Sequence, residues 1–479
     1  MRVASKEISA VSLVREALEK AHAYQNDYHV FNWINDEAIK KAEAIDQRIA
    51  AGEEVGRLAG VPYALKDNFL SHEGKTTAAA QILENFASPV EATTVTKLEA
   101  EGAICIGRTN LDAFAHGSST ENSYFGPTKN SKDVTRVSGG SSGGSAVAVA
   151  LNIVQFATGT DTGGSIRQPA SLNGVYGFKP TYGTISRYGV VAMTSSLDCI
   201  GFFAQHPDDI DLLMDICAGP DSKDMTTLPD YYHEDYADID PVKRIGIIKD
   251  FDNDKVAPAI RVALAKKVQE LRERGHEIVE LEMPTLKYAL PAYYIITPAE
   301  VASNLSRYDG IRYGSRSQQA ETLGAIFENT RNEGFMPENK RRIMVGNFVL
   351  SSGFYDAYYL KAAKVRTLIV EEYNRAFEKC DYILAPVGPD VAFELGAKVN
   401  DPVAMYLEDV LTVPLNIAGI PGLSIPVGKT EDGLDIGLQL VGPRRSDKGL
   451  LQFAKVIAGD SAIQGDDSLD INGEIKEDV

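Results

Sequence analysis

Cysteine is scarce in this sequence, and patterns of metal ligands are missing from it. The 479 residues include four cysteines, none of them in C-x-x-C spacing, which indicates neither a disulfide framework nor a zinc knuckle. The seven histidines are dispersed as well, and no H-E-x-x-H motif occurs. We therefore predict no metal site in this chain.

Long apolar runs and a surplus of basic residues are also missing. No stretch approaches the roughly 18 consecutive apolar residues of a membrane span, and the first residues lack the apolar segment of a signal peptide. We therefore expect a cytoplasmic protein that does not bind membranes. The 48 lysines and arginines face 67 acidic residues, a net charge of −19. Because gripping nucleic acid requires a basic surplus, any RNA should be held mainly by a partner.

Strand and helix patterns alternate along most of the chain. Residues 12–23 and 36–51 carry apolar side chains at helical spacing, with Asp36 and Gly52 at positions that suit caps. The alternation predicts an α/β fold with a large mixed, mostly parallel β-sheet covered by helices on both faces. The apolar runs that predict buried strands are 61–65, 103–106, 153–158, 244–248, 382–386, 423–427 and 437–441.

We predict a single domain over residues 1–479. Its N-terminal part, about 1–55, should be helical, and the acidic tail at about 460–479 should be flexible. Residues 218–240, rich in Asp, Pro and Tyr, are typical of a surface excursion. Strand and helix patterns continue on both sides of that excursion, which favours one large domain over two.

A dense block of glycine and serine carries the strongest functional signal. Residues 138–145 read SGGSSGGS and run into a small-residue apolar helix, which a flexible linker would not require. Residues 159–169 read GTDTGGSIRQP. The block lacks both the Gly-Lys-Ser/Thr of a phosphate-binding P-loop and the G-x-G-x-x-G of a dinucleotide site. Residues 140–144 fit the G-x-S-x-G of a nucleophile elbow, but neither a good preceding strand nor a triad histidine is evident.

Ser165 is the candidate nucleophile on chemical grounds. Consecutive glycines let backbone N–H groups turn toward a substrate, because no Cβ blocks unusual φ values or close approach. A serine directly after residues 162–164 would have its hydroxyl beside several free N–H donors, which is an oxyanion hole. Lys66 follows the apolar run 61–65. Lys66 has two possible interpretations, a surface lysine and a buried base. Burial would lower the pKa of such a base from about 10.4 toward 7.

Together these features resemble the amidase-signature enzymes. That family combines a Gly/Ser-rich segment, the sequence G-T-D-x-G-G-S-I-R and an upstream lysine in a K-D motif. The intervals here (141 − 66 = 75 and 165 − 141 = 24) match its usual spacing. The resemblance implies acyl transfer with Lys66 as the base, Ser141 as a relay and Ser165 as the nucleophile. It further implies Ser142 as support for the relay and an oxyanion hole made of the N–H groups of Thr162, Gly163, Gly164 and Ser165.

The C-terminal half is similar to one branch of that family, the glutamine-hydrolysing subunits of tRNA-dependent amidotransferases. The resemblance implies glutamine as the substrate, with Arg342 on its carboxylate, Asp409 on its ammonium and Tyr293 lining the pocket. A guanidinium suits the first role because its planar fork can bind both carboxylate oxygens. The neighbouring residues Arg341, Glu408 and Tyr294 stay open as alternatives. The segments that carry this likeness are 303–314, 340–344, 350–359 and 416–426.

In that branch the amidase is one member of a heterotrimer. The resemblance implies B and C subunits as partners, charged tRNA bound mainly through the B subunit, and ATP with Mg²⁺ on a partner; this chain needs no cofactor. Glu-tRNA(Gln) and Asp-tRNA(Asn) both stay open as acceptors. The rival functions are a stand-alone amidase of other carboxamides and a tRNA-holding subunit without catalysis. The intact set of Lys66, Ser141 and Ser165 and the negative charge argue against the second rival.

Overall fold

An eleven-stranded β-sheet forms the centre of the protein. The structure is a computed structural model and describes residues 3–234, 242–251, 255–319 and 321–458. Across those residues the strands are β1 Phe31–Ile34, β2 Pro62–Lys66, β3 Ile104–Thr109, β4 Phe156–Asp161, β5 Tyr176–Lys179, β6 Cys199–Ala204, β7 Arg244–Ile248, β8 Glu277–Leu281, β9 Tyr382–Pro386, β10 Gly422–Lys429 and β11 Asp435–Val441. They lie in the order β1-β3-β2-β4-β6-β5-β10-β11-β9-β7-β8.

Helices surround this sheet. In the described parts of the chain they are α1 Ala10–Tyr28, α2 Ala38–Ala50, α3 Thr93–Ala100, α4 Gly143–Ala150, α5 Arg167–Asn173, α6 Pro207–Cys217, α7 Pro258–Glu273, α8 Ala289–Asn304, α9 Leu323–Gly334, α10 Pro337–Leu350, α11 Lys361–Phe377, α12 Pro402–Leu407, α13 Val413–Ala418 and α14 Asp447–Ala458. None of these helices combines the length and the apolar character that crossing a bilayer requires.

Both faces of the sheet are buried. Along β2, Tyr63 and Leu65 belong to an apolar cluster that includes residues of α3, α6, α8 and α11. Ala64, between them, belongs to a second cluster with residues of α1, α2 and α4. Because successive side chains of a strand point to opposite faces, the two clusters lie on opposite sides of the sheet. The predicted α/β architecture with helices on both faces is confirmed.

The sheet is mixed, as predicted, but parallel pairing does not dominate it. β2 pairs in parallel with β3 and β4, and β7 pairs in parallel with β8 and β9. The other six pairings, which include all of those from β4 across the centre to β9, are antiparallel. The prediction of a mostly parallel sheet failed because an apolar run indicates only that both faces are covered. An antiparallel strand inside a covered sheet needs the same run.

The predicted elements are present, with differences at the N-terminus. All seven predicted strands occur, and β7 and β9 have the predicted bounds. The N-terminal part also contains β1, so it is not purely helical. Helix α1 is longer than predicted, and α2 begins after Glu37 rather than after Asp36. The predicted flexible tail at 460–479 and residues 235–240 of the predicted excursion lie outside the described residues; the single domain stays a prediction.

Candidate active site

The candidate catalytic residues lie at one edge of the sheet, where two parallel strands end. Lys66 is the last residue of β2, and β4 ends at Asp161 before the loop 162–166 that leads into α5. β2 and β4 are paired in parallel, so their carboxyl ends meet. Ser142, directly before α4, donates its backbone N–H to the Ser165 carbonyl at 3.2 Å. The topology therefore brings three distant segments together.

The ammonium of Lys66 is held by three hydroxyl groups. Its Nζ donates to Ser141 Oγ at 2.9 Å, to Ser142 Oγ at 2.7 Å and to Thr160 Oγ1 at 2.7 Å. Lys66 has no exposed surface. The alternative of a surface lysine is therefore wrong, and Lys66 is in direct contact with both serines of the Gly/Ser block.

The surroundings of Lys66 favour its neutral amine near neutral pH. Burial lowers the pKa of Lys66 to about 7, because the apolar interior disfavours the ammonium. The charges of Asp112, Asp161 and Asp198 act in the opposite direction and are the weaker influence. At pH 7 a large fraction of this amine is thus neutral and can accept a proton.

Ser141 is fixed through its backbone. The peptide bond between Gly140 and Ser141 is cis. Gly140 donates its N–H to Gln168 Oε1 at 2.9 Å, and the Ser141 carbonyl accepts from the N–H of Asp112 at 3.2 Å. The hydroxyl of Ser141 lies beside Lys66, which is the position that the predicted relay needs.

Ser165 is buried, at 8% exposure, on the loop after β4. Its hydroxyl makes no hydrogen bond with a described residue, so the structure shows contact between Lys66 and Ser141 but no link from Ser141 Oγ to Ser165 Oγ. Among the predicted oxyanion donors, the N–H of Gly164 instead donates to Asp161 Oδ1 at 2.9 Å. This corrects the predicted set, since an N–H directed at a carboxylate is not free. Within the described chain, the N–H groups of Thr162, Gly163 and Ser165 have no such partner.

Asp161 holds the loop in this shape. Its carboxylate also accepts from the Ile166 N–H at 3.2 Å, from Arg167 Nε at 3.0 Å and from Asn416 Nδ2 at 2.8 Å. Burial alone would raise its pKa, but the charge of Arg167 and these hydrogen bonds lower the pKa of Asp161 to about 2. Asp161 is therefore ionised at all physiological pH values and positions the loop 162–166, which carries the candidate nucleophile Ser165.

Tyr293 also lies against this loop. It is a buried residue of α8. A Cβ at Gly163 would lie 2.6 Å from the Tyr293 hydroxyl, so that hydroxyl touches the loop backbone. Thr412 Oγ1 also donates to the Gly163 carbonyl, at 2.5 Å. The predicted pocket residue is thus next to the predicted oxyanion donors.

Arg342 and Asp409 both contact Tyr294. The guanidinium carbon of Arg342 is 5.3 Å from the Tyr294 ring centroid, and its Nε donates to Glu338 Oε1 at 2.9 Å. Tyr294 OH donates to Asp409 Oδ2 at 2.8 Å, and Ser118 Oγ donates to Asp409 Oδ1 at 2.7 Å. Burial raises the pKa of Asp409 to about 7, against the effect of these hydrogen bonds.

The neighbouring alternatives face elsewhere. The Arg341 side chain is 43% exposed and pairs with Glu338 at the surface of α10. Glu408 pairs with Lys398. Tyr294 is the exception, because it lies between Arg342 and Asp409, as described above. The geometry therefore favours Arg342 and Asp409 over their neighbours and adds Tyr294 to Tyr293 rather than replacing it.

Sequence reasoning missed several residues of this site. Thr160 lies inside the GTDTGGS motif. It is a polar residue of β4 two positions after Thr158, so both side chains lie on the same face of the strand, and Thr160 could have been singled out on that ground. Glu338 lies one helical turn before Arg342, a spacing that predicts an ion pair. Ser118 had no local signal, because its partner Asp409 is 291 residues further along the chain.

The chain belongs to the amidase family: the family model described as Amidase matches residues 12–451. A curated relative from Cyanothece sp., the A subunit of glutamyl-tRNA(Gln) amidotransferase, is 49% identical over 446 residues, 92% of each chain. A protein of the same description from Heliobacterium modesticaldum is 48% identical over 454 residues, 94% of this chain and 93% of the relative.

Solved structures agree with this assignment. The crystal structure of the A subunit of glutamyl-tRNA(Gln) amidotransferase from Thermotoga maritima has a TM-score of 0.78 and 36% identity, and the match covers 94% of this chain and 92% of that chain. The predicted resemblance and the amidase-signature fold are therefore confirmed.

Proposed function

We propose that this chain is the glutamine-hydrolysing subunit of a tRNA-dependent amidotransferase. It converts glutamine to glutamate and ammonia, and a partner subunit uses the ammonia to convert Glu-tRNA(Gln) to Gln-tRNA(Gln), Asp-tRNA(Asn) to Asn-tRNA(Asn), or both. The observation that carries the proposal is the fully buried Lys66, whose Nζ is 2.9 Å from Ser141 Oγ. A buried amine beside a fixed hydroxyl is what a serine amidase without a histidine needs.

Proton transfer in the proposed mechanism begins at Lys66. Its neutral amine accepts a proton from Ser141 Oγ while Ser141 takes the proton of Ser165 Oγ. Ser165 then attacks the carboxamide carbon, and the oxyanion is stabilised by the N–H groups of Thr162, Gly163 and Ser165. The same proton returns to the departing ammonia, and water hydrolyses the acyl-enzyme. Ser142, which also accepts from Lys66 Nζ, keeps the amine in place.

Selection of glutamine rests on two buried charges. A free amino acid needs a cation for its carboxylate and an anion for its ammonium, and Arg342 and Asp409 are such a pair, both in contact with Tyr294. Arg342 is 3% exposed and Asp409 is 8% exposed, so each charge acts in a medium that screens it weakly. Tyr293 forms the wall between this pair and the nucleophile loop.

The partners in this proposal are B and C subunits, with charged tRNA bound mainly through the B subunit and ATP with Mg²⁺ on a partner. Support comes from an exposed apolar surface on the outer side of α10 and the segment after it. Its members include Met344 at 72% exposure, Phe348 at 47% and Phe354 at 40%. Contiguous exposed apolar side chains of this kind are typical of protein interfaces. The net charge of −19 also agrees with a tRNA held by a partner.

One assay separates this function from that of a stand-alone amidase. Ammonia release is measured from glutamine, asparagine and a simple aryl amide, with and without the B and C subunits and charged tRNA. We expect a preference for glutamine and stimulation by the partners and tRNA. Efficient turnover of the aryl amide by the lone chain would instead favour the stand-alone amidase.

The nucleophile is tested by Ser165→Ala. We expect this variant to release no ammonia from glutamine while unfolding at the same temperature as the wild type, because the hydroxyl makes no hydrogen bond within the described chain. Full activity of the variant would overturn the assignment of Ser165. Ser131→Ala, at another small buried serine outside the site, serves as the control.

A further inference from the structure

His116 is a buried polar side chain that the proposed mechanism does not use. It has no exposed surface, and its Nδ1 is 2.5 Å from Asn339 Nδ2. The Asn339 amide is oriented by its other contacts, since its Oδ1 accepts from the Met336 N–H and its Nδ2 donates to the Ala113 carbonyl. Nδ2 is therefore the donor, and His116 Nδ1 accepts. Nε2 of the same ring has no partner among the described residues.

The ring of His116 is neutral and carries its proton on Nε2. Burial lowers the pKa of His116 well below its usual value, and the nearby charge of Arg342 lowers it further. A neutral imidazole has one N–H, and Nδ1 is already an acceptor, so the proton is on Nε2. A buried donor without a partner costs free energy that a bound acceptor would recover.

The position of His116 connects it to the proposed glutamine site. Asn339 and Arg342 are three residues apart on α10 and share one face of that helix. Ser118, two residues after His116, donates to Asp409. Arg342 uses its Nε for Glu338, and its terminal nitrogens make no hydrogen bond with a described residue. His116 is thus connected through Asn339 to the helix of Arg342, which is assigned to the carboxylate of glutamine, and through Ser118 to Asp409, which is assigned to the ammonium.

We propose that the Nε2–H of His116 donates a hydrogen bond to the α-carboxylate of glutamine beside Arg342, which makes His116 a substrate-binding and specificity-determining residue. This inference rests on the proposed function. The Nε2–H of His116 needs an acceptor, and the ammonium of glutamine cannot accept a hydrogen bond. The amide oxygen is assigned to the N–H groups of the nucleophile loop, so the carboxylate is the acceptor that remains. A neutral donor adds this bond without burying a second positive charge beside Arg342.

The test compares two substrates in the full chain assembled with its B and C subunits. His116→Met removes the donor and keeps an apolar side chain of suitable size. We expect kcat/KM for glutamine to fall roughly tenfold, mostly through KM, because a hydrogen bond to a charged group is lost. For 4-aminobutanamide, which is glutamine without its α-carboxylate, we expect a change of less than about twofold, measured as kcat/KM or as Ki against glutamine.

Each other outcome has a defined meaning. Equal losses with both compounds, or no loss with glutamine, would overturn the role of His116. If His116→Met does not fold, the same comparison of glutamine with 4-aminobutanamide is made with His116→Phe, which keeps a ring but has no N–H. A wild-type enzyme that handles 4-aminobutanamide as well as glutamine would contradict the proposed function itself, and this result is read from the wild type alone.

Discussion

Burial of Lys66 has a cost that can be measured as a pH dependence of stability. The pKa of Lys66 is lowered from 10.5 to about 7 in the folded chain. Between these two values the unfolded chain binds more protons than the folded one, so the free energy of unfolding rises with pH in that window. The tighter binding of this proton by the unfolded chain lowers the free energy of unfolding by about 4 kcal/mol at pH 7 and by about 2 kcal/mol at pH 9.

Lys66→Met removes this penalty. It also leaves Ser141, Ser142 and Thr160 without their shared donor, which adds a destabilising contribution that does not depend on pH. From pH 7 to pH 9, the free energy of unfolding of the wild type should therefore rise by about 2 kcal/mol relative to that of the variant. The variant should release no ammonia at either pH.

Urea unfolding of both proteins at the two pH values measures this shift. Groups that do not interact with Lys66 titrate alike in both proteins and cancel in the difference. Lys20→Met, at a lysine on the surface of α1, is the matched control and should show no shift. A constant difference between wild type and Lys66→Met at pH 7 and pH 9 would refute the buried base.

Three further predictions concern the substrate and the loop. Arg342→Ala should raise KM for glutamine strongly, whereas Arg341→Ala should leave it unchanged; equal effects of the two substitutions would reject Arg342 as the residue that binds the carboxylate of glutamine. kcat/KM should rise roughly 100-fold from pH 6 to pH 8, since Lys66 must be neutral and Asp409 ionised and the pKa of each is about 7; a flat profile would contradict this. Gly163→Ala should cut kcat at least tenfold without unfolding the protein, because its Cβ would lie 2.6 Å from a tyrosine hydroxyl.

Local patterns predicted seven of the eleven strands in the described part of the chain, and they singled out the segments that form the candidate site. The run that became β7 is apolar after Arg244 and ends before Lys249, and the run that became β9 begins after Asp381, so these boundaries were visible in the sequence. Ser165 could be assigned because a glycine-flanked serine has few other uses. Lys66 was ambiguous by itself, since a lysine at the end of a strand can reach solvent, and only the match to the family spacing favoured the base.

What the sequence did not predict depends on contacts between distant segments. The direction of strand pairing is set by how the crossovers pack, and apolar runs do not record it. The use of the Gly164 N–H by Asp161 depends on the turn that the loop adopts. His116 has no local signal either, because its role follows from Asn339, 223 residues further on.

The dependence of the nucleophile loop on distant residues has a consequence for synthesis of the protein. Arg167, which braces Asp161, donates to Asn416 Oδ1 at 2.6 Å across 249 residues of chain. Lys66, Ser141 and Ser165 leave the ribosome long before that asparagine does. A growing chain therefore carries all three candidate catalytic residues without the support that shapes the loop of Ser165, and we expect it to release ammonia only after the segment with Asn416 has been made.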